Sequence, residues 1–158
     1  MTAAQDPDER FTHALEQARY EGQLLWQIFG AFLLPHTVFV AFLLQSVFNN
    51  HMPDYEPAVF FPGLLGAVLC LPWYASYSRS SDYYIFRMAQ AKAVEPPDMG
   101  LIAGAGERFS DGEQVEVGGK PYRIKRLGRV LRTKKSVPVL ILTFLGVYLA
   151  LVIWRGPW

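Results

Sequence analysis

Histidine is the residue type in this sequence best suited to proton transfer or metal binding, and His36 has the most unusual surroundings. It lies beside Pro35 inside an otherwise apolar run, FLLPHTVFVAFLL. An ionisable ring is costly in an apolar environment, so such a ring faces other protein or a water-filled cavity. Three roles follow for His36: a neutral side chain hydrogen-bonded to another helix, a lining or gating residue of a pore, or a proton relay or metal ligand.

Outside that run, no set of residues has the pattern of a catalytic or metal-binding site. Cys70 is the only cysteine, which excludes a disulfide framework and a cysteine cluster. The glycine-rich stretch AGAGE lacks the Lys-Ser/Thr ending of a phosphate-binding loop, so we predict a flexible joint there. No nucleophile is paired with a base, and no two carboxylates are paired in an apolar segment. The sequence therefore predicts no enzymatic activity, no metal and no cofactor.

Three long uncharged runs must position these residues. No Asp, Glu, Lys or Arg occurs in residues 24–48, 57–78 or 136–154. A membrane-spanning helix needs about 20 consecutive apolar residues, because the hydrocarbon core is about 30 Å thick. The predicted fold class is an all-α integral membrane protein with cytoplasmic helical extensions and a small β-hairpin. The three transmembrane helices are predicted at residues 24–48, 57–76 and 136–155.

The distribution of basic residues predicts the orientation of the chain. Twelve of the 15 Lys and Arg residues lie between Arg79 and Lys135, and the connection between the first two runs has none. Because cytoplasmic connections are enriched in Lys and Arg, we predict a cytoplasmic N-terminus and an external C-terminus. His13 and His51 then fall on opposite sides of the membrane. Four tryptophans near the ends of the runs are predicted to be interfacial anchors: Trp26, Trp73, Trp154 and Trp158.

Two segments are predicted to be cytoplasmic. Residues 1–23 form an amphipathic helix, with Asp6 as its N-cap and Pro7 at its first position. Residues 77–135 contain a second helix, a hairpin and a basic segment. This second helix ends at Glu95, because two prolines follow it and the residue before a proline disfavours helix.

An alternating pattern between the second and third runs predicts a β-hairpin. Val115 and Val117 alternate with polar residues before the pair Gly118-Gly119, and Tyr122 and Ile124 do so after it. Two strands alone are marginally stable. We therefore expect them to rest against helices or to pair with a neighbouring subunit.

A basic segment extends from Lys120 to Lys135, with eight basic residues and no acidic one. Its members are Lys120, Arg123, Lys125, Arg126, Arg129, Arg132, Lys134 and Lys135. One interpretation is an orientation signal that also contacts anionic lipid headgroups. The other is a binding surface for nucleic acid or an anionic signalling molecule, with three arginines on one helical face. Nucleic acid is the less favoured partner, because only Tyr122 is available to stack on bases.

Small residues in the second and third runs predict close helix packing. Gly63 and Gly66 lie in the second run, and Gly146 and Ala150 lie four residues apart in the third. Small residues at such spacing let helices approach closely in a membrane. Since three helices form a thin bundle with much exposed surface, we expect the chain to form homo-oligomers.

The order of elements along the chain has a counterpart in a known family. A short N-terminal helix precedes two closely spaced spans, and a helix with Trp73, Tyr77 and Arg79 near its start then runs to Glu95-Pro96. The last apolar segment follows a basic run, in KKSVPVLILTF. This arrangement resembles small bacterial membrane proteins of the RipA family. The resemblance implies a homo-oligomeric ring in the bacterial cytoplasmic (inner) membrane, with a role in stress, host interaction or defence rather than in catalysis.

Two functions are compatible with these features. The first is a homo-oligomeric pore-forming or membrane-depolarising effector, gated through its cytoplasmic region, in which Pro35, His36 and the small residues form the moving surface. The alternative is a non-conducting scaffold or adaptor that docks a cytoplasmic protein or nucleoprotein partner on residues 79–135.

Overall fold

The structure, a computed structural model, describes residues 6–48, 57–125 and 133–155. It is mostly helical, with a small antiparallel sheet of two strands. The helices are α1 (Pro7–Phe48), α2 (Pro57–Ala93), α3 (Glu107–Ser110) and α4 (Thr133–Arg155), and a π-helical turn spans Leu101–Gly106. The strands are β1 (Val115–Val117) and β2 (Lys120–Tyr122). The predicted helical fold with one small hairpin is confirmed.

Three of these helices, α1, α2 and α4, contain segments long and apolar enough to cross a membrane. By length and composition these segments are Pro7–Phe48, Val59–Ala93 and Lys135–Trp154. The 42 residues of α1 extend about 63 Å at 1.5 Å per residue, about twice the thickness of a hydrocarbon core. The predicted N-terminal helix and first span are therefore one continuous helix. Helix α2 likewise continues from the second span into the polar helix that follows it.

The start of α1 has the predicted cap. The carboxylate of Asp6 accepts the backbone N–H of Asp8 at 3.3 Å, which satisfies one of the amide groups left free in the first turn. Pro7 is the first helical residue, where its missing N–H costs nothing. Asp8 and Glu9 add negative charge to the first turn, which complements the positive end of the helix dipole.

The chain divides into two compact units. The extension unit contains Met1–Leu24 and Ser80–Thr133, and the apolar unit contains Leu25–Arg79 and Lys134–Trp158. Within the extension unit, α1 and α2 pack at Gly22, where a Cβ atom would lie 3.2 Å from the ring of Tyr84. Within the apolar unit, α1, α2 and α4 share one core. Its fully buried side chains are Trp73, Tyr148, Leu43, Ile141, Val59 and Cys70.

The glycine-rich stretch predicted to be a flexible joint forms a regular turn instead. The carboxylate of Glu95 accepts the backbone N–H groups of Ile102 and Ala103, each at 2.7 Å. These bonds satisfy two amide groups at the start of the Leu101–Gly106 turn, which continues directly into α3. The sequence shows the glycines but not that the carboxylate of Glu95, seven residues before Ile102, binds the backbone at the start of this stretch.

The hairpin forms where the alternating pattern predicted it. Strand β1 pairs antiparallel with β2, with Val115 opposite Tyr122 and Val117 opposite Lys120. Gly118 and Gly119 have φ angles of 59° and 75°. A two-residue hairpin turn of type I′ requires this left-handed conformation at both positions. Arg108 Nε also bonds to Glu113 at 2.8 Å, between α3 and the segment before β1.

The carboxyl group of Glu95 titrates below its ordinary value. Desolvation raises its pKa, but three backbone N–H groups, of Ala103, Ile102 and Leu101, and the charge of Lys92 act in the opposite direction and lower the pKa below 4.5. Because the folded pKa is the lower one, the stabilisation by Glu95 is present above pH 4.5. It is lost as the pH falls through the folded pKa.

We expect Glu95→Gln to loosen the Leu101–Gly106 turn, because an amide has one acceptor oxygen where the carboxylate uses two. Amide hydrogen exchange at Ile102 and Ala103, corrected for intrinsic rates, measures this directly. In the wild type, protection of these amides should decrease as the pH falls below 4.5, the ordinary value for glutamate. The matched control is Glu116→Gln on β1, which should leave the two amides unchanged. Equal protection at every pH would contradict the role assigned to Glu95.

Candidate functional site

The most distinctive site in the structure is a buried polar and aromatic cluster in the apolar unit. We name it the His36 cluster, and its members are His36, Gly66, Trp73, Phe144 and Tyr148. Helix α1 supplies the histidine, α2 supplies the glycine and tryptophan, and α4 supplies the phenylalanine and tyrosine. His36 is 4% exposed, and Trp73 and Tyr148 are fully buried. Three segments distant in sequence therefore meet around one buried histidine.

A pair of hydrogen bonds joins α1 to α4. His36 Nδ1 lies 2.9 Å from the hydroxyl oxygen of Tyr148, and that hydroxyl lies 3.3 Å from the backbone oxygen of His36. A hydroxyl donates one hydrogen and accepts through its lone pairs. Both contacts are satisfied when Nδ1–H donates to the tyrosine hydroxyl and the hydroxyl donates to the histidine carbonyl. The neutral imidazole then has a defined tautomer, fixed by a partner on another helix.

Aromatic rings enclose the imidazole of His36. The indole of Trp73 stacks on it with ring centroids 4.8 Å apart and an interplanar angle of 17°. Phe32 also stacks against the indole, with ring centroids 6.1 Å apart and an interplanar angle of 11°. Phe144 packs at a tilt against both His36 and Trp73. Offset and tilted aromatic contacts of this kind add to the stabilisation from burial alone. The imidazole is thus surrounded by protein.

Trp73 was predicted to be an interfacial anchor, and this prediction is wrong. Its side chain is fully buried in the core, whereas Trp26 and Trp154 are well exposed. The indole Nε1 has no hydrogen-bond partner among the described residues. Position near the end of an apolar run does not show which way a helix face points, and here that face packs against α1 and α4.

The small residues of α2 permit the close approach of α4. A Cβ atom on Gly66 would lie 2.4 Å from Cε1 of Tyr148, and a Cβ atom on Gly63 would lie 3.0 Å from Cγ2 of Val152. The tyrosine ring therefore lies directly on the backbone of Gly66. Any side chain there would displace the ring that hydrogen-bonds to His36.

The other predicted packing residues lie outside the His36 cluster. Pro35 is exposed although its neighbour is buried, and α1 continues through it. Gly146 and Ala150 are exposed on α4. A Cβ atom on Gly146 would meet nothing within 4 Å in the described part of the chain. Gly146 therefore faces open space within one protomer, and Ala150 lies exposed one turn further along α4.

The predicted basic segment is only partly within the described residues. Lys120, Arg123, Lys125 and Lys135 are exposed, and Arg123 Nε donates to the backbone oxygen of Gly112 at 3.2 Å. Arg126, Arg129 and Arg132 lie outside the described residues, as does the side chain of Lys134.

The chemistry available to the His36 cluster is hydrogen bonding and aromatic stacking. No group of three His, Cys, Asp or Glu residues among those described is placed to hold a metal ion. Of the three roles considered for His36, the geometry favours the neutral side chain bonded to another helix. Sequence reasoning missed its partner, although a tyrosine in the middle of the most apolar run was an available signal.

No protein-family model, curated protein or solved structure matches this chain. The resemblance to the RipA family therefore stays a prediction, and function is argued from the geometry alone.

We expect Tyr148→Phe to destabilise the apolar unit, because it removes the acceptor of His36 Nδ1–H and the donor to the His36 carbonyl. Hydrogen bonds between membrane helices contribute on average about 0.6 kcal/mol and at most about 1.7, so the loss should fall in that range. Reversible unfolding of the purified protein by SDS in mixed micelles measures it. The matched control is Tyr74→Phe, the same change at an exposed tyrosine of α2. When His36→Leu is already present, Tyr148→Phe should lower the free energy of unfolding by less than it does in the wild type. If the double variant loses the full sum of the two single losses, the two side chains are not paired.

We expect Gly66→Ala to destabilise the protein by about 1–3 kcal/mol, the usual cost of overpacking, because the new methyl group overlaps the ring of Tyr148. The matched control is Gly30→Ala on α1, where a Cβ atom meets nothing within 4 Å. That change should stabilise by about 0.5–1 kcal/mol through helix propensity. The same micelle titration compares the two variants, and an equal response would refute the tight contact at Gly66.

Proposed function

We propose that the chain is an integral membrane protein of three transmembrane helices. The observation that supports this most is the surface of the apolar unit, where large apolar side chains are exposed around a core that contains a buried histidine. Leu34 is 70% exposed while His36, two residues away, is 4% exposed. Large apolar side chains face outward on all three helices, among them Val38, Phe42, Phe61, Leu65, Val139, Leu142 and Ile153. A contiguous apolar surface of this kind suits a lipid environment.

The hydroxyl groups of the apolar unit support the same proposal. Thr37 donates to the backbone oxygen of Leu33, Ser46 to that of Phe42, and Thr143 to that of Val139, at 2.8 to 3.0 Å. Each bond closes on the residue four positions earlier in the same helix. Lipid offers no hydrogen-bonding partner, so a hydroxyl satisfied by its own helix can face hydrocarbon at little cost.

Within that proposal, the best-supported role is a non-conducting homo-oligomeric scaffold. The intramembrane ionisable side chain that could line a pore, His36, is occupied by Tyr148 and covered by Trp73. The exposed small residues Gly146 and Ala150 offer a surface on which copies of α4 approach closely. The extension unit, with its basic segment, is the part that docks a cytoplasmic protein partner. The proposed location is the bacterial cytoplasmic membrane, with the N-terminus inside.

A pore-forming or membrane-depolarising effector is the second candidate. It is favoured by two exposed amide side chains on the apolar part of α1, Gln27 and Gln45, which are polar groups on a surface otherwise suited to lipid. In an oligomer such amides would line a path between protomers. A stress or defence role belongs to this second candidate.

Extraction and reporter fusions test insertion and orientation. The protein should remain in the membrane pellet at alkaline pH and dissolve only in detergent. A fluorescent protein fused to the C-terminus should be dark and alkaline phosphatase fused there should be active, because the C-terminus is external. A fluorescent N-terminal fusion is the matched control and should be bright. Release by alkaline carbonate would overturn the membrane proposal, and a bright C-terminal fusion would overturn the orientation alone.

Reconstitution separates the scaffold from the pore. Light scattering in detergent should give a protein mass that is a multiple of 17.9 kDa, and liposomes containing the oligomer should retain entrapped ions. Ion release that Gln45→Leu abolishes would favour the pore instead. The matched change Gln90→Leu, at an exposed position on the polar part of α2, should not alter any such release. A monomeric mass would contradict both candidates.

A further inference from the structure

The hairpin of the extension unit directs a backbone donor and a backbone acceptor to the outer edge of β1. Its ladder contains three residue pairs: Val115 with Tyr122, Glu116 with Pro121, and Val117 with Lys120. In an antiparallel ladder, pairs that exchange two backbone hydrogen bonds alternate with pairs that exchange none. Because Pro121 has no N–H, Glu116 and Pro121 form a pair of the second kind. The N–H and C=O of Glu116 therefore point away from β2.

The outer edge of β2 is unsuited to further pairing. At the middle residue of that strand, the position that would donate outward is Pro121, and a proline at such a position is a common way to block an edge. Among the described residues, the sheet contains only β1 and β2. The edge of β1 is therefore the one to which a third strand can add.

A cleft lies beside β1 and has room for such a strand. It has a volume of about 540 Å³. Residues 114–116 form one wall, and Gly104, Ala105 and Arg108 form the other. A Cβ atom on Gly104 would meet nothing within 4 Å among the described residues. None of the residues that line the cleft belongs to β2, so the cleft lies on the open side of β1.

One face of the hairpin is apolar. Val115 and Val117 point to the same face of β1, because side chains along a strand alternate between two faces. Together with Leu101, Phe109 and Tyr122 they line a groove of about 390 Å³. Leu101 and Val117 are 60% and 59% exposed. A strand added to β1 would direct every second side chain to this face, where apolar side chains would cover the groove.

The other face of the hairpin carries a carboxylate. Glu116 is exposed, and its cross-strand neighbour on β2, Pro121, has no charge. A strand added to β1 would place one residue directly opposite Glu116 on the same face. A basic side chain there would form a favourable cross-strand pair, whereas an acidic one would be repelled. A second copy of β1 paired symmetrically about Glu116 would set two carboxylates against each other.

We propose that the edge of β1 binds an extended segment of a cytoplasmic protein in which a basic residue stands between two apolar residues. The segment adds to the hairpin as a third strand, bonds to the backbone of Glu116, and places its basic side chain opposite that carboxylate. In recognition of this kind, main-chain bonds give affinity and alternate side chains give specificity. The inference rests on the scaffold function proposed above and deepens it, because it names the chemistry of the docked partner.

Synthetic peptides and the full-length chain in phosphatidylcholine nanodiscs test the inference. The first peptide is Val-Lys-Val-Lys-Val, the second is Val-Glu-Val-Glu-Val, and the third is the first with both lysine amides N-methylated. All three have acetylated and amidated ends. Fluorescence anisotropy gives each dissociation constant, with empty nanodiscs as the blank for lipid binding. Hydrogen exchange resolved to single amides reports the N–H of Glu116.

The lysine peptide should bind up to about 25-fold more tightly than the glutamate peptide, because a favourable and an unfavourable cross-strand pair each change affinity by up to about fivefold. It should also slow exchange of the Glu116 amide, and the N-methylated peptide should do neither. In Glu116→Lys the preference should reverse in favour of the glutamate peptide. The matched control is Asp98→Lys, at an exposed position that lines neither the cleft nor the groove, and it should keep the wild-type preference.

Three results would overturn the inference: no binding of the lysine peptide, binding that leaves exchange of the Glu116 amide unchanged, or the same preference in Glu116→Lys as in the wild type. A Glu116 amide that is protected without peptide and loses protection when the protein is diluted would show that a second copy occupies the edge, which also overturns it. Light scattering of the same preparation in detergent tests the scaffold separately. A monomeric mass would contradict the scaffold even if the peptide binds, whereas a discrete oligomer that binds no peptide would overturn the strand addition alone.

Discussion

The hydrogen bond between His36 and Tyr148 is the constraint on which the apolar unit depends. A polar ring buried among apolar side chains is tolerated only if its donors and acceptors find partners. Here the partner of His36 Nδ1 lies 112 residues away in sequence, so this bond requires α1 and α4 to meet at a fixed height and rotation. Gly66 makes that meeting possible, because only a residue without a side chain leaves room for the tyrosine ring. Trp73 then closes the remaining face of the imidazole.

The two units of the chain satisfy their polar and charged groups in different ways. In the apolar unit, His36 is buried against Tyr148, the hydroxyl of Thr37 bonds to its own helix, and large apolar side chains such as Leu34 and Val38 are exposed. In the extension unit, charged side chains are exposed and pair with one another, and Glu95 satisfies backbone groups of a turn that would otherwise be short of partners. This division supports the proposal of a membrane-anchored scaffold whose docking surfaces lie outside the membrane helices.

The proposals about the outer surface concern exposed residues, in contrast to similar residues that pack within the protomer. Gly63 and Gly66 lie against side chains of α4 within the protomer, whereas Gly146 meets nothing within 4 Å among the described residues and Ala150 is exposed, so the second pair is the one proposed for self-association. Likewise Val115 and Val117 lie two residues apart on β1, but Val115 is buried and Val117 is exposed. Residues of the same type and spacing therefore have different surroundings: some pack within the fold, and others are exposed on its surface.

The amino-acid sequence by itself determined the helices, the hairpin and the cap at Asp6, because these depend on local features: uncharged runs, a period of two around a Gly-Gly pair, and a carboxylate before the first turn. Only the tertiary structure decided the partner of His36, the burial of Trp73, the different fates of Gly66 and Gly146, and the order that Glu95 imposes on a glycine-rich stretch. The first three depend on which faces of distant segments meet, and the last depends on a turn that brings the Glu95 side chain back to backbone groups seven and eight residues later. A pattern of types and spacings places a residue on a helix, but the contacts among several helices determine which way it points.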